Sequence, residues 1–117
     1  MSDHKVSELT EAVVRHRDER EWEQFHTPKE LAISLCVEAA ELLGIMQWKN
    51  GSQLTETVAA KHEHIRDEIA DVLHSILLLA SELNISPGDA LLEKLRKDAR
   101  KYPVEKARGK NLKYDEL

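Results

Sequence analysis

Apolar residues recur along the chain with a helical period, and their spacing divides it into four segments. Val6, Leu9, Val13 and the aliphatic stem of Arg17 form one stripe, which predicts an amphipathic helix capped by Ser2 or Ser7 and running to about Glu23. Thr27-Pro28-Lys29-Glu30 then combines an N-cap threonine, proline at the first helical position and a glutamate placed to close a capping box. The helix it starts, to about Gln47, contains LAISLCVEAAELLGIMQW (31–48), which is apolar almost all round and is therefore expected to be buried. Lys49-Asn50-Gly51-Ser52 reads as a loop. A third and longest helix is predicted from near Thr55 to about Leu83, polar in its first half and apolar from Ile69 to Ala80, with Asn84 as its stop. Ser86-Pro87-Gly88-Asp89 repeats the capped start, and a fourth helix follows to about Tyr102, with Leu91, Leu92, Leu95, Ala99 and Tyr102 as its buried stripe. Pro103 ends it, and Val104–Leu117 reads as a charged, partly ordered tail. Short connections make an antiparallel four-helix bundle the expected all-α fold, with the second and third helices at its centre.

Composition narrows the function classes. At 117 residues the chain is read as one domain over 1–109 with a tail at 110–117, small enough for a partner subunit to complete its core. A net charge of −5 speaks against a protein that coats nucleic acid. The single cysteine leaves no internal disulfide, and Cys36, inside the apolar helix, is expected to be a small buried hydrophobe. The longest apolar run, Ile76 to Ala80, is far too short to span a membrane, and no signal peptide is evident, so a cytoplasmic protein is expected.

The apolar second helix carries two carboxylates. At about 100° per residue, Ser34, Glu38, Glu41, Ile45 and Trp48 share one stripe, so two like charges one turn apart face the same way. Their repulsion raises the pKa of one of them unless a cation lies between them. Glu68-Ile69-Ala70-Asp71 repeats the spacing on the third helix, and residues 42–67 leave enough chain for the two helices to pack antiparallel with the pairs opposed. Four oxygen ligands suit a hard cation, Mg²⁺ or Mn²⁺, which completes its shell with water and phosphate oxygens. A di-iron bundle needs Glu-x-x-His on two helices, and Glu23-x-x-His26 and Asp71-x-x-His74 match that poorly. One acidic pair alone would mark a solvated face; two pairs with apolar flanks point to a metal centre.

The segments FHTPKELAISLCVEAAELLGIMQW (25–48), EIADVL (68–73) and KYPVEKARG (101–109) resemble the MazG-like, all-α nucleoside triphosphate pyrophosphohydrolases, nearest to the dCTP pyrophosphatase branch. That resemblance covers about residues 20–109 and implies that Glu38, Glu41, Glu68 and Asp71 hold Mg²⁺ while a nucleoside triphosphate, dCTP or a related pyrimidine nucleotide, is split into monophosphate and pyrophosphate. Glu41 is expected to orient the water. By the same resemblance Lys94, Lys101, Arg108 and the Tyr102 hydroxyl contact phosphate, and Trp22 and Trp48 sandwich the base with His26 close by. Phe25 lies in the same aromatic group, which would otherwise be read as capping the bundle ends. Asp98 departs from the asparagine common in relatives, and Ser75 stands where relatives can carry an aromatic, with His74 a substitute contact. The expected assembly is a homodimer or homotetramer. Two other readings are a pyrophosphohydrolase for a modified nucleotide or phosphoribosyl-ATP, and a non-catalytic helical module that binds metal structurally.

Overall fold

The computed structural model describes residues 3–117, and every regular element among them is helical. The helices are α1 (Val6–Glu19), α2 (Pro28–Met46), α3 (Gly51–Ala60), α4 (His62–Glu82), α5 (Pro87–Lys101) and α6 (Val104–Ala107), with single 3₁₀ turns at Glu23–Phe25 and Tyr114–Glu116. The chain forms two compact units, one ending at Ile85 and the other covering Ser86–Leu117.

Capping explains several boundaries. The Thr27 hydroxyl accepts from the Glu30 amide at 3.2 Å with Pro28 at the first position of α2, and the Ser86 hydroxyl accepts from the Asp89 amide at 3.4 Å with Pro87 opening α5. α4 stops as expected at Asn84, whose φ of 54° lets the Ile85 amide reach the Ala80 carbonyl (2.8 Å) and its own amide reach Ser81 (3.1 Å). That is a Schellman closure. α1 ends by the same device four residues before the expected Glu23: Glu21 takes a φ of 54°, the Trp22 amide donates to the Arg17 carbonyl (3.1 Å) and the Glu21 amide to Asp18 (3.0 Å). Lys5, with no side-chain bond, holds the N-cap position expected of Ser7; Ser2 lies outside the described residues.

The third predicted helix is two helices. α3 already begins at Gly51, in the expected loop, and α4 starts after Lys61, whose φ of −103° and ψ of 18° break the helical path. No proline or glycine marks the break, so the pattern runs through it unbroken. In place of a simple tail, residues 104–107 form α6.

In the first unit α4 packs against both α1 and α2, and α3 contacts α2 and α4. Among the described residues Leu31, Leu77 and Leu78 are the buried aliphatics, each 3% exposed. The Arg17 stem is buried as expected, its guanidinium paired with Asp18 and Glu82. Much of the apolar surface expected inside is not: Ile33, Val37 and Leu43 on α2 and Ile69, Leu73 and Ile76 on α4 are exposed. Cys36 is exposed with them, against the expectation of a buried thiol. A helix that is apolar all round has more faces than its neighbours within one small unit can cover. In the second unit Leu91, Leu92 and Leu95 are exposed as well, since α5 and α6 provide no layer to close over that stripe.

Candidate metal centre and its flanking cavities

α2 and α4 run antiparallel across the acidic pairs. Late α2 (Glu41, Gly44, Ile45) lines one cavity with early α4 (His64, Glu68), and early α2 (Leu31, Ser34, Glu38) lines another with later α4 (Asp71, Ser75, Leu78). One carboxylate oxygen from each of Glu38, Glu41 and Glu68 falls in a group within 4.8 Å of one another. Asp71 stands outside that tight group, one turn after Glu68, yet its charge is felt at Glu38.

The electrostatics of the cluster favour a positive charge among its carboxylates. Glu68 is 8% exposed, and its Oε1 has His64 Nε2 at 3.4 Å. Glu68 Oε2 and Glu38 Oε2 are both buried without a hydrogen-bond donor. Burial, then the charges of Glu41, Asp71 and Glu68, push the Glu38 carboxyl up to about 7. A buried carboxylate oxygen with no donor is costly, and a cation removes that cost for both orphans at once. Three or four carboxylates and no sulfur form the donor set of a hard divalent cation. The residues fit such an ion.

Two cavities in the first unit reach the cluster. The smaller, about 300 Å³, joins Glu38 and Asp71 to Trp22, His26, His16 and His74. The His16 ring meets Trp22 edge-on at 5.9 Å and His74 edge-on at 5.8 Å. Burial and His16 hold the His74 imidazole below the usual histidine range, against the opposing pull of Asp71 and with a further push from His26. The larger, about 630 Å³, joins Glu41 and Glu68 to Lys49, Lys61 and His64.

Of the residues expected at the site, Glu38, Glu41, Glu68, Asp71, Trp22 and His26 therefore converge in the first unit. Phe25 and Trp48, 65% and 82% exposed, line neither cavity. Lys94, Lys101, Tyr102 and Arg108 belong to the second unit, where Lys94 pairs with Asp98, the Lys101 ammonium lies 5.0 Å from the Tyr114 ring and Tyr102 meets that ring edge-on at 6.3 Å. Pairing with Lys94 also neutralises the Asp98 carboxylate. Ser75 is 8% exposed in the wall of the smaller cavity. His16, Lys49, Lys61 and His64 also reach the two cavities, although spacing alone does not single them out. His64, one turn before Glu68 on the same face, carries the only positional signal among them.

Residues 33–117 match the family model described as MazG-like. The human protein dCTP pyrophosphatase 1 is 35% identical over 101 residues, which cover 85% of this chain and 59% of that protein. Its mouse counterpart is 33% identical over 101 residues, again 59% of its length, so this chain spans less than two thirds of these curated relatives. Among solved structures, a pyrophosphatase from Archaeoglobus fulgidus superposes with a TM-score of 0.80 at 38% identity, covering 88% of this chain and 96% of that one. With its helical fold, its paired acidic motifs and a family match from residue 33 to 117, this chain belongs to the MazG-like family.

Proposed function

We propose that the chain hydrolyses nucleoside triphosphates to monophosphate and pyrophosphate at the Glu38–Glu41–Glu68 cluster, with Mg²⁺ as its cation and Mn²⁺ as a substitute. The observation that carries this reading is the convergence of three carboxylates within 4.8 Å between a cavity lined by aromatic and imidazole rings and one lined by lysines. The names of the similar proteins, dCTP pyrophosphatase 1 and a pyrophosphatase, support it, and the first makes dCTP or a related pyrimidine nucleotide the preferred substrate.

Glu38, Glu41, Glu68 and Asp71 hold the cation. When bound, it neutralises phosphate charge and acidifies water. Glu41, the exposed member of the cluster, accepts a hydrogen bond from the attacking water and aligns it on the α-phosphorus. A bond forms from that water oxygen to phosphorus, the bond from phosphorus to the α–β bridging oxygen breaks, and the water's proton passes to Glu41 and from it to solvent. Trp22 and His26 receive the base, and stacking on one ring is worth about 1–3 kcal/mol. Lys94, Lys101, Tyr102 and Arg108 are further candidates for phosphate contact, on the family resemblance alone. A homodimer or homotetramer covers the apolar faces that one chain leaves exposed.

The test is to incubate the purified protein with each dNTP and NTP, with and without Mg²⁺, and identify the products by phosphorus NMR. Monophosphate and pyrophosphate formed only with the metal, fastest from dCTP, is the expected result. Diphosphate and orthophosphate would refute the reaction, and fastest turnover of another base would refute the substrate. Stabilisation by metal without turnover of any nucleotide would favour a non-catalytic helical module.

A further inference from the structure

The larger cavity is not accounted for by the residues so far given a role in phosphate contact. Its walls contain Glu41 and Glu68, two of the three clustered carboxylates, whereas Glu38 and Asp71 face the cavity that contains Trp22 and His26. The cluster thus has an aromatic side and a cationic side. Lys49 lies in the turn before α3 and Lys61 in the break after it, so the ten-residue α3 sets two lysines on the wall of one cavity. Among the described residues, neither lysine has a carboxylate within ion-pair distance, although Glu56 is in the same wall. The Glu68 side chain is 10% exposed and presents an oxygen without a hydrogen-bond partner.

A nucleoside triphosphate cut at its α-phosphorus leaves the base and the departing pyrophosphate on opposite sides of the reacting centre. On the functional reading above, on which this inference rests, the base occupies the Trp22 side. We infer that the 630 Å³ cavity lined by Lys49 and Lys61 is the pyrophosphate-binding site. Lys49 and Lys61 contact the two departing phosphoryl groups, and His64, 3.4 Å from Glu68, offers a further donor at the mouth of the cluster. The wall also carries Glu41, Glu56 and Glu68, so its carboxylates outnumber its lysines. Bare pyrophosphate is repelled there, and pyrophosphate complexed with a divalent cation is the species that binds. Magnesium sites built from a few carboxylates and completed by phosphate oxygens have this character.

The deciding experiment measures pyrophosphate binding to the full chain by calorimetry, with and without Mg²⁺, beside dCMP as a probe of the other side. Magnesium pyrophosphate should bind the wild-type chain, and bare pyrophosphate at least about tenfold more weakly. Lys49→Gln and Lys61→Gln should each weaken magnesium pyrophosphate about tenfold, leave dCMP binding unchanged, and be rescued by Lys→Arg. Lys61 is exposed, so its variant carries the test if Lys49→Gln fails to fold. Unchanged pyrophosphate binding in the double variant, or an equal loss of dCMP, would overturn the inference, as would a wild-type chain that binds no magnesium pyrophosphate. A chain that binds it as expected but hydrolyses no nucleotide would overturn the functional reading and leave this cavity assigned.

Discussion

Arg17, at the end of α1, places its guanidinium Nη1 3.2 Å from Glu82 Oε2, at the end of α4, with 93% of the Arg17 side chain shielded from solvent and Nε donating to Asp18 at 3.0 Å. The carbonyl of the same residue accepts the Trp22 amide at 3.1 Å. One residue therefore joins two helices and fixes the backbone of the aromatic side of the smaller cavity.

Arg17→Met keeps the aliphatic stem and removes the charge. A hydrogen bond to a charged group contributes about 1.5–3 kcal/mol, and the Glu82 carboxylate, still partly exposed, recovers some solvation. A loss of about 2 kcal/mol in urea unfolding is expected, with KM for nucleotide within a few-fold because the residue-17 carbonyl still accepts the Trp22 amide. Unchanged stability would mean that the pair is solvent-compensated.

Glu21 occupies the left-handed region at φ 54°, where a side chain with a Cβ costs about 1–2 kcal/mol. Glycine removes that cost but gains unfolded-state freedom, so Glu21→Gly should stabilise the chain by up to about 1 kcal/mol. The Schellman closure is preserved, and kcat should not change. A destabilised variant would show that the Glu21 side chain makes a contribution larger than its backbone strain.

These two positions also show which features were legible in the sequence. The starts at Thr27 and Ser86 and the stop at Asn84 use residues whose side-chain chemistry is itself the signal, and the structure has them there. The stop at Glu21 and the break at Lys61 lie at residues with no preference for such backbones, so neither carries a signal of its own. The acidic pairs were legible because two carboxylates one turn apart on apolar helices have few bland explanations, and Glu38, Glu41 and Glu68 do meet. Lys49 and Lys61 were not: their meeting depends on the path of α3, and a lysine in a loop is usually solvated. Exposure of Leu43 and Ile69 was hidden for another reason, since an apolar residue reads the same whether its own chain or a partner covers it.

Ile69, Leu73 and Ile76 share one stripe of α4 and are all exposed. If a second copy covers it, Leu73→Glu should place a charge in that interface and shift the assembly to monomer at micromolar concentration. Sedimentation velocity reads this directly, and circular dichroism controls for folding. A wild-type chain that is already monomeric, or a variant that stays associated, would remove this stripe from the interface.

Glu41→Gln tests the water-orienting role. The amide keeps the shape and one acceptor oxygen but cannot take a water's proton, and positioned acid–base groups contribute about 10²–10⁴ in rate. A fall in kcat of at least about a hundredfold with KM within a few-fold is expected. A variant whose activity is restored by raising Mg²⁺ would show that Glu41 serves chiefly as a ligand.

Glu38 links metal, proton and fold. Its carboxyl rises from an ordinary 4.5 to about 7 in the folded chain, through burial and then through Glu41, Asp71 and Glu68. Between those values the folded chain holds a proton that the unfolded chain has released, so stability falls as pH climbs from about 4.5 to about 7 and then levels. Without divalent cation the melting temperature should drop by several degrees across that window. His16, His26 and His74 line the same cavity, so the informative quantity is the difference between wild type and Glu38→Gln, which lacks the carboxyl. Glu38→Gln in chelator should show a shallower slope and be the more stable of the two at pH 7. Mg²⁺ reverses the order, because it binds the ionised carboxylate and stabilises only the folded wild-type site. At pH 6, calorimetry in buffers of different ionisation enthalpy should detect a proton released as Mg²⁺ binds. Parallel melting curves for the two proteins at every pH, with no proton release, would show that Glu38 is already ionised without metal.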